Sequence, residues 1–151
     1  MRRLQVLCPV LVATIVGALG GCGEGGARSG ATVSVYVATP LCTEARREVD
    51  DAGRRAGDLW VRVLCLRRVQ AGARVDLALA GLDARHATED SSSVAFLEAP
   101  GRAAAYTRPI VEAADIAWVK TSSAATLVNR ILRVLEENGS TPREAVLDEV
   151  G

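Results

Sequence analysis

Thr32-Val33-Ser34-Val35-Tyr36-Val37-Ala38 is β-branched and alternating, so it reads as a strand, and Pro40 stops it. Glu44 to Arg55 then carries Ala45, Val49, Ala52 and the following Ala56 on one face at helical spacing, before Gly57-Asp58 turns the chain. Leu59 to Leu66 is a near-continuous apolar run, the pattern of a parallel strand covered on both faces. Val75 to Thr88 predicts a second helix weakened by Gly81, and Val94 to Leu97 a third strand. Ala103 to Ala114 predicts a third helix that Pro109 should kink or restart, and Ile116 to Val119 a fourth strand. Leu127, Val128, Ile131, Leu132, Val134 and Leu135 form the apolar stripe of a C-terminal helix that exposes Arg130, Arg133, Glu136 and Glu137 and ends at Asn138-Gly139. Thr141-Pro142-Arg143-Glu144 has the form of a capping box with proline at the first helical position, opening a short helix to about Glu149. Strands alternating with helices imply right-handed crossovers. The expected fold is therefore α/β: a single Rossmann-like lobe with a mostly parallel sheet of about four strands flanked by helices, and a helical C-terminus.

Upstream of Thr32 the chain is of a different kind. Arg2 and Arg3 precede an apolar run from Leu4 to Leu19, and Leu19-Gly20-Gly21-Cys22 closes it. A charged start, a short apolar core and small residues before a cut site make a secretory signal peptide over residues 1–21. The closing four residues resemble the lipobox of bacterial lipoproteins, whose cysteine is acylated, palmitate among the acyl groups, and becomes the N-terminus after cleavage. That resemblance implies lipidation of Cys22, a lipidated and flexible leash over 22–31, and one lobe over 32–151. Two readings compete, a retained membrane span and secretion without lipid. Pro9 and Gly17 interrupt a run shorter than the roughly 20 residues of a spanning helix, and Cys22 stands where the modification needs a thiol. Gly21-Cys22-Gly23-Glu24-Gly25-Gly26 also matches G-x-G-x-x-G, but it leaves a signal core rather than a strand and enters no helix, so no nucleotide cofactor follows.

Residues 22–151 suffice for one compact domain with a single core, not for two. With two Trp, two Tyr and one Phe in a chain that is 49% hydrophobic, that core is aliphatic. A formal net charge of zero argues against a nucleic-acid partner, because phosphate contacts need a basic surplus. Ligands of open α/β sheets bind beyond the carboxyl ends of the strands, which makes Thr39, Arg102, Lys120, Thr121, Ser122 and Ser123 the candidate ligand-binding residues. Lys120, the only lysine, suits an anion together with the hydroxyls and amides at the next helix's start; the simpler reading has Thr121 and Ser122 as caps only. His86, the only histidine, stands on a polar helical stretch with Arg85 and Glu89, where solvation is the simpler role. No Ser-His-acid constellation and no Cys/His cluster at ligand spacing is legible, so neither an enzyme nor a metal or other cofactor is expected. Asp50-Asp51 with Lys120 has the outline of a phosphoacceptor receiver, but export separates it from cytoplasmic kinases. Cys8 leaves with the signal peptide and Cys22 takes the lipid, so Cys42 and Cys65 remain. Both fall near the same sheet end. They bridge in an oxidising exterior or stay as a loop thiol and a buried thiol, according to where alternation points Cys65.

Val33-Ser34-Val35-Tyr36-Val37-Ala38-Thr39-Pro40-Leu41, then a helix, then Asp58-Leu59-Trp60-Val61-Arg62-Val63, resembles the opening of type I periplasmic binding proteins of the leucine/isoleucine/valine-binding kind. Those are the solute-binding lipoproteins of ABC transporters. Ala87 to Leu97 is similar to that family's helix end, short loop and third strand, Pro109 to Ala117 to the next helix and strand, and Leu127 to Val150 to the C-terminal helices that return to the first lobe. The resemblance implies an amino acid or other small polar solute as ligand. It departs from the family where the ligand would sit. The family clamps its ligand between two lobes, whereas 22–151 supply one, and the loop Glu98-Ala99-Pro100-Gly101-Arg102-Ala103-Ala104-Ala105 lacks the hydroxyl donors the family offers a carboxylate. The expected protein is thus an exported lipoprotein, held through acyl chains on Cys22 to the outer face of the cell membrane or the periplasmic face of an envelope membrane. Its single solute-binding-like lobe serves as a binding or interaction module rather than an enzyme. The alternatives are a structural lipoprotein that docks a second protein or a second copy, and a degenerate truncated paralogue without ligand.

Overall fold

The computed structural model describes residues 30–67 and 76–151; the expected signal peptide, Cys22 and the leash as far as Ser29 lie outside them. The elements run β1 (Thr32–Val37), α1 (Thr39–Asp51), β2 (Arg55–Ala56), β3 (Leu59–Cys65), α2 (Leu77–Glu89), β4 (Ser93–Glu98), α3 (Ala104–Glu112), β5 (Ala117–Lys120), α4 (Ala125–Glu137) and α5 (Pro142–Val150). They build one sheet in the order β2-β3-β1-β4-β5. All pairings are parallel except that of β2 with β3. This is the α/β, Rossmann-like lobe that the alternating patterns imply, with one short antiparallel strand added at the edge.

Strand alternation sorts the side chains into two cores. Val33, Val35 and Val37 of β1 join Leu41, Ala45 and Val49 of α1, Val128, Ile131 and Leu135 of α4, and Val146 of α5 on one face. Ala84 and Ala87 of α2 and Val111 of α3 pack with Phe96 and Ile116 on the other, against Tyr36, Leu66 and Trp118. Helices thus cover both faces, as one crossover hand requires when the chain first moves from β1 to β3 and then back past β1 to β4. β4 is buried at every position, the condition of a central parallel strand.

Several local expectations need correction. Pro40 opens a helix rather than merely ending a strand: α1 starts at Thr39 with proline in its first turn, where no intrahelical N–H is required. It also stops at Asp51, because Gly53 and Arg54 take positive φ values of 67° and 59°, so Ala56 leaves the helix and pairs with Leu59 in the β2–β3 hairpin. β3 is not covered on both faces. Trp60 is 44% exposed and Arg62 is exposed, since the α2–α3 layer reaches Leu66 at the strand's far end but leaves its start bare. α3 runs from Ala104 to Glu112 without a restart at Pro109. The Thr141 side chain makes no capping hydrogen bond; α5 is docked instead by Arg143, whose Nε donates to Ser93 O at 2.9 Å and whose Nη2 donates to Ser91 O at 3.2 Å.

Candidate functional site

The chain leaves β1 toward β3 on one side and later enters β4 on the other, so the crevice of an open α/β sheet falls at the carboxyl ends of β1 and β4. The structure places Thr39, Arg102, Lys120, Thr121, Ser122 and Ser123 at this end of the strands, in the first turn of α1, the β4–α3 loop, the end of β5 and the β5–α4 loop. Their polar groups are partly engaged. Thr39 Oγ1 donates to Leu66 O at 2.9 Å, tying α1 to the end of β3. Three residues further along α1, Cys42 is joined to Cys65 in a disulfide with Cα atoms 5.6 Å apart, so alternation does point Cys65 toward α1. Thr121 Oγ1 donates to Ser123 O at 2.7 Å and closes the loop on itself. Arg102, Lys120 and Ser122 are exposed.

Three carboxylates that the sequence reading did not select organise this end. Glu44, on the second turn of α1, accepts from Ala124 N at 2.7 Å and from Ser123 Oγ at 2.9 Å. The backbone amide and the serine hold the Glu44 carboxyl below its ordinary range. The start of α4, read above as an anion site or a Thr/Ser cap, is therefore met by an acidic side chain of the neighbouring helix, as the helix dipole favours. Asp83 of α2 is buried and accepts from Arg67 Nε at 2.6 Å and Arg67 N at 3.0 Å, which clamps the second residue after β3 to α2. Glu98, the last residue of β4, is buried as well; it accepts from Thr107 Oγ1 at 3.1 Å and Ala99 N at 3.1 Å, while Trp118 Nε1 donates to Thr107 Oγ1 at 3.1 Å. Lys120 is the register partner of Glu98 yet lies exposed, and Thr107 rather than the ammonium answers the buried carboxyl.

No known family, curated protein or solved structure matches this chain.

At the opposite end of the sheet a second polar cluster links β1, β3 and the α2–β4 turn. Arg62 donates from Nε to Ser34 Oγ at 2.7 Å and from Nη2 to Asp90 Oδ2 at 3.1 Å, Tyr36 OH donates to Asp90 Oδ2 at 3.0 Å, and Ser92 Oγ donates to Asp90 Oδ1 at 2.6 Å. Burial alone would raise the Asp90 carboxyl, but the donors from Ser92 and Tyr36 overcome it and hold the group at about 2. Tyr36 is driven the other way, to about 12, by its burial and by Asp90. Asp90 therefore stays charged across the physiological range and acts as a fixed strut.

Glu98 responds to pH. Burial raises its carboxyl above the ordinary 4.5, outweighing the hydrogen bonds from Thr107 and Ala99, and Asp83 adds repulsion. A carboxyl raised in the fold contributes its full stability below its unfolded value and loses it as pH climbs through the folded value. Glu98→Gln should consequently be more stable than the native chain at about pH 8, with the difference closing near pH 4. Urea melts at both pH values check this; a variant less stable at the higher pH would show that the site favours the charged carboxylate.

Proposed function

We propose that this chain is an exported lipoprotein, anchored through Cys22, whose single α/β lobe is a binding or interaction module related to one lobe of the solute-binding proteins. The observation that carries the location is the Cys42–Cys65 disulfide, which agrees with the lipobox-like Leu19-Gly20-Gly21-Cys22. Disulfides persist outside the reducing cytosol, and the two signals arise from unrelated parts of the chain. A recognition role is supported by the way Glu44, Asp83 and Glu98 each bind a partner within the lobe, giving a rigid rim at the carboxyl ends of the strands. On that rim Arg102, Lys120 and Ser122 stand out as groups for a small polar or anionic solute. Partner docking is favoured by a separate feature: Leu82 on α2 and Tyr106 on α3 are 47% and 51% exposed on the layer that covers β4.

Replacing the acylated thiol tests the anchor directly. Cys22→Ser should shift the protein from the membrane pellet to the soluble fraction or leave it as uncut precursor, and mass spectrometry of the native N-terminal peptide should show acyl chains on Cys22. Unmodified Cys22 in a soluble cytosolic chain would end this reading. Thermal-shift screening of the lobe with amino acids and organic anions separates the solute role from docking, for which size exclusion should show self-association.

A further inference from the structure

We propose that the bare start of the sheet, Trp60 with the Arg55 guanidinium on its ring, is the face through which the lobe sits on its own bilayer, at the level of the phospholipid headgroups. This rests on the reading of Cys22 as the lipid anchor. The point where the described chain begins is held against this face: Gly30 N donates to Asp58 O at 2.9 Å, and Trp60 N donates to Ala31 O at 2.8 Å. From an acylated Cys22 to Gly30 even a fully extended chain spans only roughly 28 Å. That is less than the width of a lobe of this size, roughly 35 Å. The anchor therefore keeps the far, carboxyl ends of the strands off the membrane and holds the amino ends, with the β2–β3 hairpin, within its reach.

The chemistry exposed there suits an interface. Trp60 is 44% exposed although its register partners Thr32 and Arg55 flank it, and Arg55 Cζ stands 4.7 Å from the indole centroid. An indole is amphipathic and concentrates at headgroup depth, while a guanidinium matches phosphate oxygens in a bidentate way. Neighbouring arginines are already committed, Arg54 to Asp50 and Arg62 to Asp90. Arg55 forms no ion pair among the described residues, so its cation faces outward with the ring as support. Asp58, exposed in the turn between Ala56 and Leu59, makes the surroundings mixed in charge. A free anion would gain little from such a site, whereas a bilayer engages indole and guanidinium together.

The chain contains two tryptophans, and Trp118 packs at the α3–β5 core with its Nε1 donated to Thr107, which supplies an internal control. The mature lipoprotein is reconstituted into vesicles of phosphatidylethanolamine and phosphatidylglycerol containing dibrominated phosphatidylcholine. In the Trp118→Phe variant, emission from Trp60 should fall about twofold relative to unbrominated vesicles, and Arg55→Glu in that background should recover most of it. The Trp60→Phe variant should show no quenching. In the native sequence, amide exchange over residues 54–62 should slow on vesicles compared with detergent, a readout that needs no tryptophan variant. An acylated protein that floats with the vesicles yet shows unquenched Trp60 and unchanged exchange overturns the placement and leaves the anchor intact. A Cys22 without acyl mass overturns both.

Discussion

Phe96→Ala should destabilise the lobe by about 3–5 kcal/mol, the range for removing a large aromatic side chain from a core. Phe96 is fully buried at the middle of β4 and is the only phenylalanine in the chain. Its ring stacks on Tyr36 with centroids 6.5 Å apart and planes 8° from parallel, and the helices above it present Ala84, Ala87 and Val111. Small side chains cannot swing into the void that a missing ring leaves. Tyr36 cannot follow either, because its hydroxyl is bonded to Asp90. The site should thus collapse poorly, placing the loss at the upper part of the range, against a total stability of about 5–15 kcal/mol for a domain. Chemical denaturation should show a lower midpoint with an unchanged slope, and Phe96→Leu should lose less than half as much. A loss below about 1 kcal/mol in Phe96→Ala would mean that the α2–α3 layer does not rest on β4 as described.

The fold class was readable because each parallel strand carries its own signal. Val33, Val35 and Val37 alternate on β1, and Val94-Ala95-Phe96-Leu97 is apolar throughout, so buried strands separated by helix-period segments leave few architectures open. Boundaries were less legible where one residue type serves two purposes. Pro40 both prevents further strand pairing and fits a helix's first turn, and only the packing of Leu41 and Cys42 into the core decides for the helix. The two-residue β2 has no periodicity to detect; the left-handed backbone at Gly53 and Arg54 creates it. The exposure of Trp60 and Arg62 is illegible for a related reason, since the sequence shows a strand's composition but not the width of the layer that covers it.

At the carboxyl ends of the strands, position was easier to read than pairing. The candidates Thr39, Arg102, Lys120, Thr121, Ser122 and Ser123 do fall there, because chain order through the sheet determines which loops gather at one end. Pairing depends on neighbours far apart in sequence. Glu44 meets Ala124 across 80 residues, and no local motif encodes that distance. Two signals were nevertheless available. Asp83 lies in the stripe of Ala80, Ala84 and Ala87, and Glu98 ends a strand that is otherwise buried; a carboxylate in either setting requires a partner. Arg67 and Thr107 are those partners.

Removing the Cys42–Cys65 bridge should cost roughly 3 kcal/mol, because a cross-link over a sequence separation of this length restricts the unfolded chain by about that amount. The 23-residue separation encloses the rest of α1, the β2–β3 hairpin and nearly all of β3, so an unfolded chain without the bridge regains the freedom of that whole segment. Cys42 is buried in the first turn of α1 and Cys65 is half-buried at the end of β3, and the Thr39–Leu66 hydrogen bond joins the same two elements. With that bond and the core around Leu41 and Val37 still in place, the folded lobe should survive reduction in shape while losing stability. Cys42→Ala with Cys65→Ala should accordingly unfold at lower denaturant than the oxidised native chain, and the native chain in dithiothreitol should fall toward the double variant. Alkylation before and after reduction, read by mass, counts the thiols. If the oxidised lobe and the double variant unfold together, the bridge contributes nothing and its support for an oxidising compartment goes with it. If they differ as expected, the lobe draws a large share of its margin from a bond that the cytosol does not sustain, and the chain is most stable in an oxidising compartment, which is the setting that the proposed export would give it.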